Sequence, residues 1–277
     1  MKFILDATNL LGDSFYLLSP VAAFCEQNPE DVECVVCSPG LVFEMFMRVL
    51  PDDTVLVASI KQATTMFSEA TVLNLGAGQA ATLSYTAHKI DPQKEQPHIS
   101  EAYARLLGLV TQPGPPDKLR TGLNLEKTHF AISPFSRSCS RHTGESPNKT
   151  LDDWKWEHII RYLRRQDLPV KVIAGPEDKL VNTSIPVNDY FVAHSFFELE
   201  TFLSSTALLI SLDNGIGHIA SFLGTPMISL WPRVSNMSFI APRWGAKNAF
   251  IQMDPNNVSP AQLLAGIKKF TRALISH

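Results

Sequence analysis

The sequence predicts an α/β protein of two doubly wound domains, residues 1–117 and 118–277, each built on a parallel sheet. Three observations predict it. Short apolar runs alternate with helical stretches along both halves, the pattern of repeated strand–helix–strand units. Thr111 to Asp117 (T-Q-P-G-P-P-D) holds three prolines and a glycine, which can neither continue a helix nor sit in a central strand, and this marks a linker. Ala207 to Leu212 is a strongly apolar run that ends in Asp213-Asn214-Gly215 and passes directly into a helical pattern. Ligands of open α/β sheets bind at such strand tips.

Taken in order, Phe3 to Leu5 reads as a buried strand, followed by a turn at Gly12 and a helix over Phe15 to Glu26. Val32 to Cys37 reads as a strand, Leu41 to Val49 as a helix, and Thr54 to Ala58 and Thr71 to Leu75 as further strands. Gln79 to Lys89 and Ser100 to Leu109 carry helical spacing. After the linker the alternation resumes with strand His129 to Ile132, a polar loop from Ser133 to Lys149, and a helix over Asp152 to Arg165. Strands at Val170 to Ala174, Tyr190 to Ala193, Ala207 to Leu212 and Met227 to Leu230 then alternate with helices at Phe197 to Leu203 and Asn214 to Leu223. A helix over Pro260 to Ile275 closes the chain. Two such domains are expected to face each other across a cleft.

Composition narrows the function. Hydrophobic residues at 45% and charged ones at 18% give enough apolar surface for a buried core and exclude wholesale disorder. A net charge of −3 without a Lys/Arg run predicts no nucleic-acid partner. Asp6 interrupts any N-terminal apolar segment and no stretch reaches the roughly 18 apolar residues of a membrane span, so a cytoplasmic location is expected. Cys34 and Cys37 form a C-x-x-C, but three residues apart on a strand they point to opposite faces. They are read as small core hydrophobes rather than a redox or metal pair. Cys25 has no Cys or His at ligand spacing, and Cys139 has no second Cys near it.

The segment Ser211 to Pro226 carries the strongest chemical signal. A helix start exposes unpaired N–H groups and the positive end of the helix dipole, and Gly215 and Gly217 leave room for a pyrophosphate to approach them. Asp213 stands where sugar hydroxyls would donate to it. The plain alternative is an ordinary strand–turn–helix with Asp213 as the cap.

This segment, S-L-D-N-G-I-G-H-I-A-S-F-L-G-T-P, resembles the D-T-G-x-x-H-x-A-x-x-x-G-x-P signature of glycosyltransferase family 9, the ADP-heptose:lipopolysaccharide heptosyltransferases. Asp213, Gly215, His218, Ala220, Gly224 and Pro226 keep register, and Asn214 stands where the family usually has Thr. Leu11-Gly12-Asp13 followed by Pro20 resembles the family's G-D-x-x-x-x-x-P segment. Lys149, followed after a helix and strand by Ala174-Gly175-Pro176-Glu177, is similar to its K-x-W-P and G-G-P-x-E run, with Leu151 and Asp152 in place of Trp-Pro.

The resemblance implies a GT-B fold and transfer of a heptose-like sugar, without metal or cofactor. The donor would be a nucleotide diphosphate sugar, ADP-linked, and the acceptor a hydroxyl of a glycan or lipopolysaccharide-type molecule. It implies Asp13 as general base with Gly12 on the acceptor side. It places the donor against Lys149, Glu177, Asp213, Asn214, Gly215, Ile216 and His218, and it suggests peripheral association with the inner membrane face.

Two other readings compete. Gly76-Ala77-Gly78-Gln79-Ala80-Ala81 matches a dinucleotide fingerprint, but it follows the fourth strand rather than the first, and Asp91 lies in a polar loop instead of ending a strand. A non-catalytic nucleotide-sugar-binding protein of the same fold is the second. The short N-terminal domain, and the absence of a basic residue in Ala7-Thr8-Asn9-Leu10, motivate it. No D-x-D motif for a metal-held diphosphate occurs. Arg137, Arg141 and His142 sit in the polar loop, read either as a lid over phosphates or as plain surface.

Overall fold

The computed structural model describes residues 1–80, 98–111, 113–135, 151–174, 189–232, 241–242, 244–245, 248–254 and 257–275. The chain divides into two units, Met1–Thr121 and Gly122–Met237 with Ala241–His277.

The first unit runs β1 (Phe3–Asp6), α1 (Leu11–Gln27), β2 (Val32–Val36), α2 (Leu41–Val49), β3 (Leu56–Val57), α3 (Ile60–Met66), β4 (Thr71–Asn74) and α4 (Ile99–Leu106). Its four strands are all parallel, in the order β3-β2-β1-β4. The chain therefore winds outward through β2 and β3, then returns to the other side of β1, which puts the topological switch point between β1 and β4.

Three details differ from expectation. Helix α1 begins at Leu11, not Phe15, so Gly12 and Asp13 lie in its first turn; its cap residue, Leu10, offers no side-chain hydrogen bond, and so no start signal was legible. The short polar helix α3 buries only Ala63 and lacks the apolar stripe that betrays a helix. The expected strand at 54–58 shrinks to two paired residues at the sheet edge. Cys34 and Cys37 are buried free thiols, as is Cys25. Burial pushes the thiol of Cys37 up to about 12 and, with Glu33 adding to it, that of Cys34 up to about 11. They stay protonated and inert.

The second unit runs β5 (His129–Ser133), α5 (Asp153–Leu163), β6 (Val170–Ile173), β7 (Tyr190–Phe191), α6 (Phe196–Ser204), β8 (Thr206–Leu212), α7 (Gly215–Phe222), β9 (Met227–Pro232), β10 (Asn248–Met253) and α8 (Pro260–Ile275). All six strands are parallel, in the order β10-β9-β8-β5-β6-β7. Here the switch point lies between β5 and β8. Strand β10 was not expected, because its polar Asn248 and Gln252 break the apolar run of a strand that sits at the edge.

The core explains why the switch point is rigid. Every residue of β8 is buried. Helix α5 sets Trp156, Ile159, Ile160 and Leu163 on one face, and Leu263 and Ile267 of α8 join them against Phe130, Ile132, Leu208 and Ile210. Full burial of such side chains stabilises by about 1.5–3 kcal/mol each, so the strands that carry the site are held by an extensive apolar cluster. Among the described residues no helix is long and apolar enough to cross a membrane.

Candidate active site

The tips of β5 and β8 lie side by side, Ser133 paired with Ser211. Asp213 is the first residue beyond β8 and is buried. Asn214 caps α7 from an extended backbone (φ −155°, ψ 170°), its Oδ1 accepting from the Gly217 N–H at 3.1 Å. The cap is therefore Asn214 and not Asp213. The side-chain amide of Asn214 donates across the switch point to Ser133 Oγ and Phe135 O, both at 2.8 Å, with Ser133 O at 3.3 Å. The residue thus ties the start of the loop after β5 to the start of α7.

With Gly217 N–H taken by the cap, the first-turn N–H groups of Gly215 and Ile216 have no hydrogen-bond partner among the described residues. Gly217 itself points inward: an added Cβ would meet Ser211 Oγ at 3.4 Å and Met227 Sδ at 3.5 Å. An added Cβ would thus lie in ordinary van der Waals contact with β8 and β9. His218, in the same turn, is buried.

The far end of the motif is structural. Gly224 takes φ 77°, a conformation that L side chains rarely adopt. Gly224 N–H bonds Ser221 O and Thr225 N–H bonds Ala220 O, both at 3.0 Å. That pair of bonds is a Schellman ending. The segment before β10 then docks on the helix: Ser221 Oγ donates to Trp244 O at 2.9 Å and accepts from Asn248 Nδ2 at 2.5 Å. Gly245 (φ 140°) lies so close that an added Cβ would fall 1.9 Å from Ser221 O.

In the first unit, Gly12 and Asp13 open α1 directly beyond β1. Asn9, which sequence reasoning did not single out, holds the switch point together. Its Nδ2 donates to Leu75 O at 3.0 Å, its Oδ1 accepts from Ala77 N–H at 2.8 Å, and its carbonyl accepts from Ser38 Oγ at 2.9 Å. The loops after β1, β2 and β4 are thereby joined, and the Gly76–Gly78 segment becomes part of this tip. Tyr103 of α4, a helix packed on α1, is fully buried. Burial first, and then the negative charge of Asp13, push its phenol well above the ordinary value. Its hydroxyl has no hydrogen-bond partner among the described residues.

Lys149 and Glu177 lie outside the described residues, as do Arg137, Arg141 and His142. Among the described residues no group of three or more His, Cys, Asp or Glu side chains is placed to hold a metal ion.

Both tips thus present ligand geometry at a switch point, one with a buried carboxylate beside a helix start. The model of glycosyltransferase family 9 (heptosyltransferase) matches residues 53–262, well over half of the chain. The chain belongs to glycosyltransferase family 9. It is a glycosyltransferase by that membership, and its fold is GT-B. No curated protein matches it significantly by sequence. A solved family 9 structure from Veillonella parvula is similar over 98% of this chain and 97% of its own, with a TM-score of 0.56 at 16% identity. The E. coli ADP-heptose lipopolysaccharide heptosyltransferase II is similar over 99% of each chain, with a TM-score of 0.61 at 12% identity. The iron-containing dodecameric glycosyltransferase TibC of enterotoxigenic E. coli is similar over 98% of this chain and 76% of its own, with a TM-score of 0.61 at 13% identity. At such identities these likenesses speak for the fold.

Proposed function

We propose that this family 9 glycosyltransferase moves a heptose-like sugar from an ADP-linked donor to a hydroxyl of a glycan or lipopolysaccharide-type acceptor, without a metal, on the cytoplasmic side of a membrane. The observation that carries the donor side is the β5/β8 switch point, where buried Asp213 stands beside a helix whose Gly215 and Ile216 N–H groups are uncapped among the described residues. Solved relatives in complex with ADP and with ADP-D-beta-D-heptose support the choice of donor.

In this scheme the N–H groups of Gly215 and Ile216, with the positive end of α7, hold diphosphate oxygens. Asp213 accepts from sugar hydroxyls. Lys149 offsets the charge that builds on the leaving group, and Glu177 accepts from the ribose. Asn214 takes part through its backbone and its cap, His218 through the packing of the first turn. The Asp13 carboxylate takes the proton of the acceptor hydroxyl as its oxygen bonds the anomeric carbon. The bond from that carbon to the diphosphate breaks, and its electron pair leaves with ADP.

Thermal denaturation with ADP, GDP and UDP, each with and without EDTA, tests the donor and the metal together. A nucleotide at 100 times its Kd adds roughly 2.7 kcal/mol to stability, and ADP is expected to do so equally in EDTA. A shift abolished by EDTA would refute metal independence, and a larger shift with UDP would refute the adenine donor. Asp213→Ala should weaken binding of the nucleotide sugar by more than that of bare ADP, by the roughly 1.5–3 kcal/mol of a hydrogen bond to a charged group.

A further inference from the structure

Helices α5 and α8 enclose a groove that the donor chemistry does not use. It has a volume of about 150 Å³ and is lined by His158, Arg161, Tyr162 and Arg165 on one side and by Leu264 and Lys268 on the other. That is room for a phosphate group, given that a water occupies about 30 Å³ of liquid. We infer that this groove is a binding site for a phosphate-bearing anion, carried on a lipid headgroup or free in solution.

Charge, geometry and position each support the assignment. Arg161 pairs with Glu157, while Arg165 and Lys268 have no carboxylate within ion-pair distance among the described residues, so the groove keeps a surplus of positive charge. Lys268 Nζ sits 5.7 Å from the centre of the Tyr162 ring, which orients it over the recess. This surplus runs against a chain whose net charge is −3. Helix α8 contains Lys268 and Lys269 and no acidic residue. The dipole at a helix C-terminus favours cations near its last turn, which suits Arg165 beside the end of α5 but does not account for Lys268, two turns from the end of α8. Trp154, half exposed at the head of α5, packs edge-on against His158 of the lining.

The position separates this groove from the donor site. All six strands are parallel, so their C-terminal tips share one edge with Asp213. Helices α5 and α8 each run back from that edge, which carries residues 158–165 toward the opposite one. A phosphate held there is not the donor's diphosphate.

The test compares the whole wild-type chain with R165A/K268A. The probes are vesicles of phosphatidylcholine with phosphatidylglycerol, vesicles of phosphatidylcholine alone, and inorganic phosphate titrated by calorimetry. Wild type is expected to bind the acidic vesicles or the free phosphate. Each cation near an anionic surface is worth about fivefold in affinity, so the double variant should bind on the order of 25-fold more weakly. R165K/K268R should keep most of the binding, and Lys61→Ala, which removes an exposed cation on α3, should change nothing. A loss confined to the acidic vesicles assigns a lipid headgroup, and a loss confined to inorganic phosphate assigns a free ligand. No binding by wild type, equal binding by R165A/K268A, or an equal loss in Lys61→Ala overturns the assignment. Should R165A/K268A fail to fold, R165Q/K268Q carries the same comparison.

Discussion

Asn214 is the point where the stability of the donor site can be measured separately from its chemistry. Its side chain does two jobs that different substitutions divide. Oδ1 caps α7 through Gly217 N–H at 3.1 Å, and Nδ2 braces Ser133 Oγ and Phe135 O at 2.8 Å. Loss of an N-cap costs about 0.5–2 kcal/mol, and each internal hydrogen bond contributes about 1 kcal/mol net. With one cap and two braces, Asn214→Ala should destabilise the protein by about 2–4 kcal/mol. At roughly 2–4 °C per kcal/mol for a domain of this size, the melting temperature should fall by roughly 5–15 °C. Asn214→Thr keeps a capping oxygen but cannot span to the loop after β5, so about half the loss is expected. Asn214→Asp also keeps the cap, yet it sets a carboxylate against the carbonyls of Ser133 and Phe135, and it should be less stable than the Thr variant at neutral pH. Urea and thermal unfolding of the three variants give the order. If Ala and Thr were equally stable, or if Ala cost less than about 0.5 kcal/mol, the brace across the switch point would be without energetic meaning.

Two further outcomes follow from buried groups. His129 is buried between Thr206 Oγ1 at 2.9 Å and Thr128 Oγ1 at 3.0 Å; burial first, then Lys171, lower its pKa to about 4. The unfolded chain takes up that proton first, so stability is full above the ordinary value near 6.5 and is lost as pH falls toward about 4, by at most about 3 kcal/mol. His129→Gln should flatten the stability curve over that interval, and an unchanged acid loss would assign it to other groups. Gly245→Ala places a Cβ against Ser221 O; it should unseat the segment before β10 and destabilise by more than about 2 kcal/mol, whereas Gly114→Ala, with open space around it, should stay within about 1 kcal/mol of wild type.

The elements legible in the sequence are those with an apolar rhythm. Leu41–Val49 and Pro260–Ile275 match their expected bounds, because each must lay one face on a sheet. The strand ahead of Asp213 was legible for the same reason, and the glycines after it marked the turn. What stayed hidden depends on which strands become neighbours. Asn214 meets Phe135 across 79 residues of chain and Asn9 meets Ala77 across 68; neither pairing exists until β8 lies beside β5 and β4 beside β1. The direction in which Gly217 would point a side chain, toward Ser211 and Met227, is likewise set by the sheet beneath it.

The start of α1 changes what Asp13 can be. As the third residue of a helix that begins at Leu11, it is not a cap, and its carboxylate stands where the helix dipole favours negative charge. The dipole contribution of a carboxylate there is about 0.3–1 kcal/mol, and Asp13→Asn, which keeps size and shape, should lower stability by about that. As the general base, Asp13 would matter far more: transfer should fall by about 10²–10⁴-fold, with ADP still raising the melting temperature as in wild type. The two roles therefore separate in one variant, measured by unfolding and by single-turnover transfer from a nucleotide sugar. Near-normal transfer together with a small loss of stability would return Asp13 to the helix and leave the proton to another group at the β1/β4 tip.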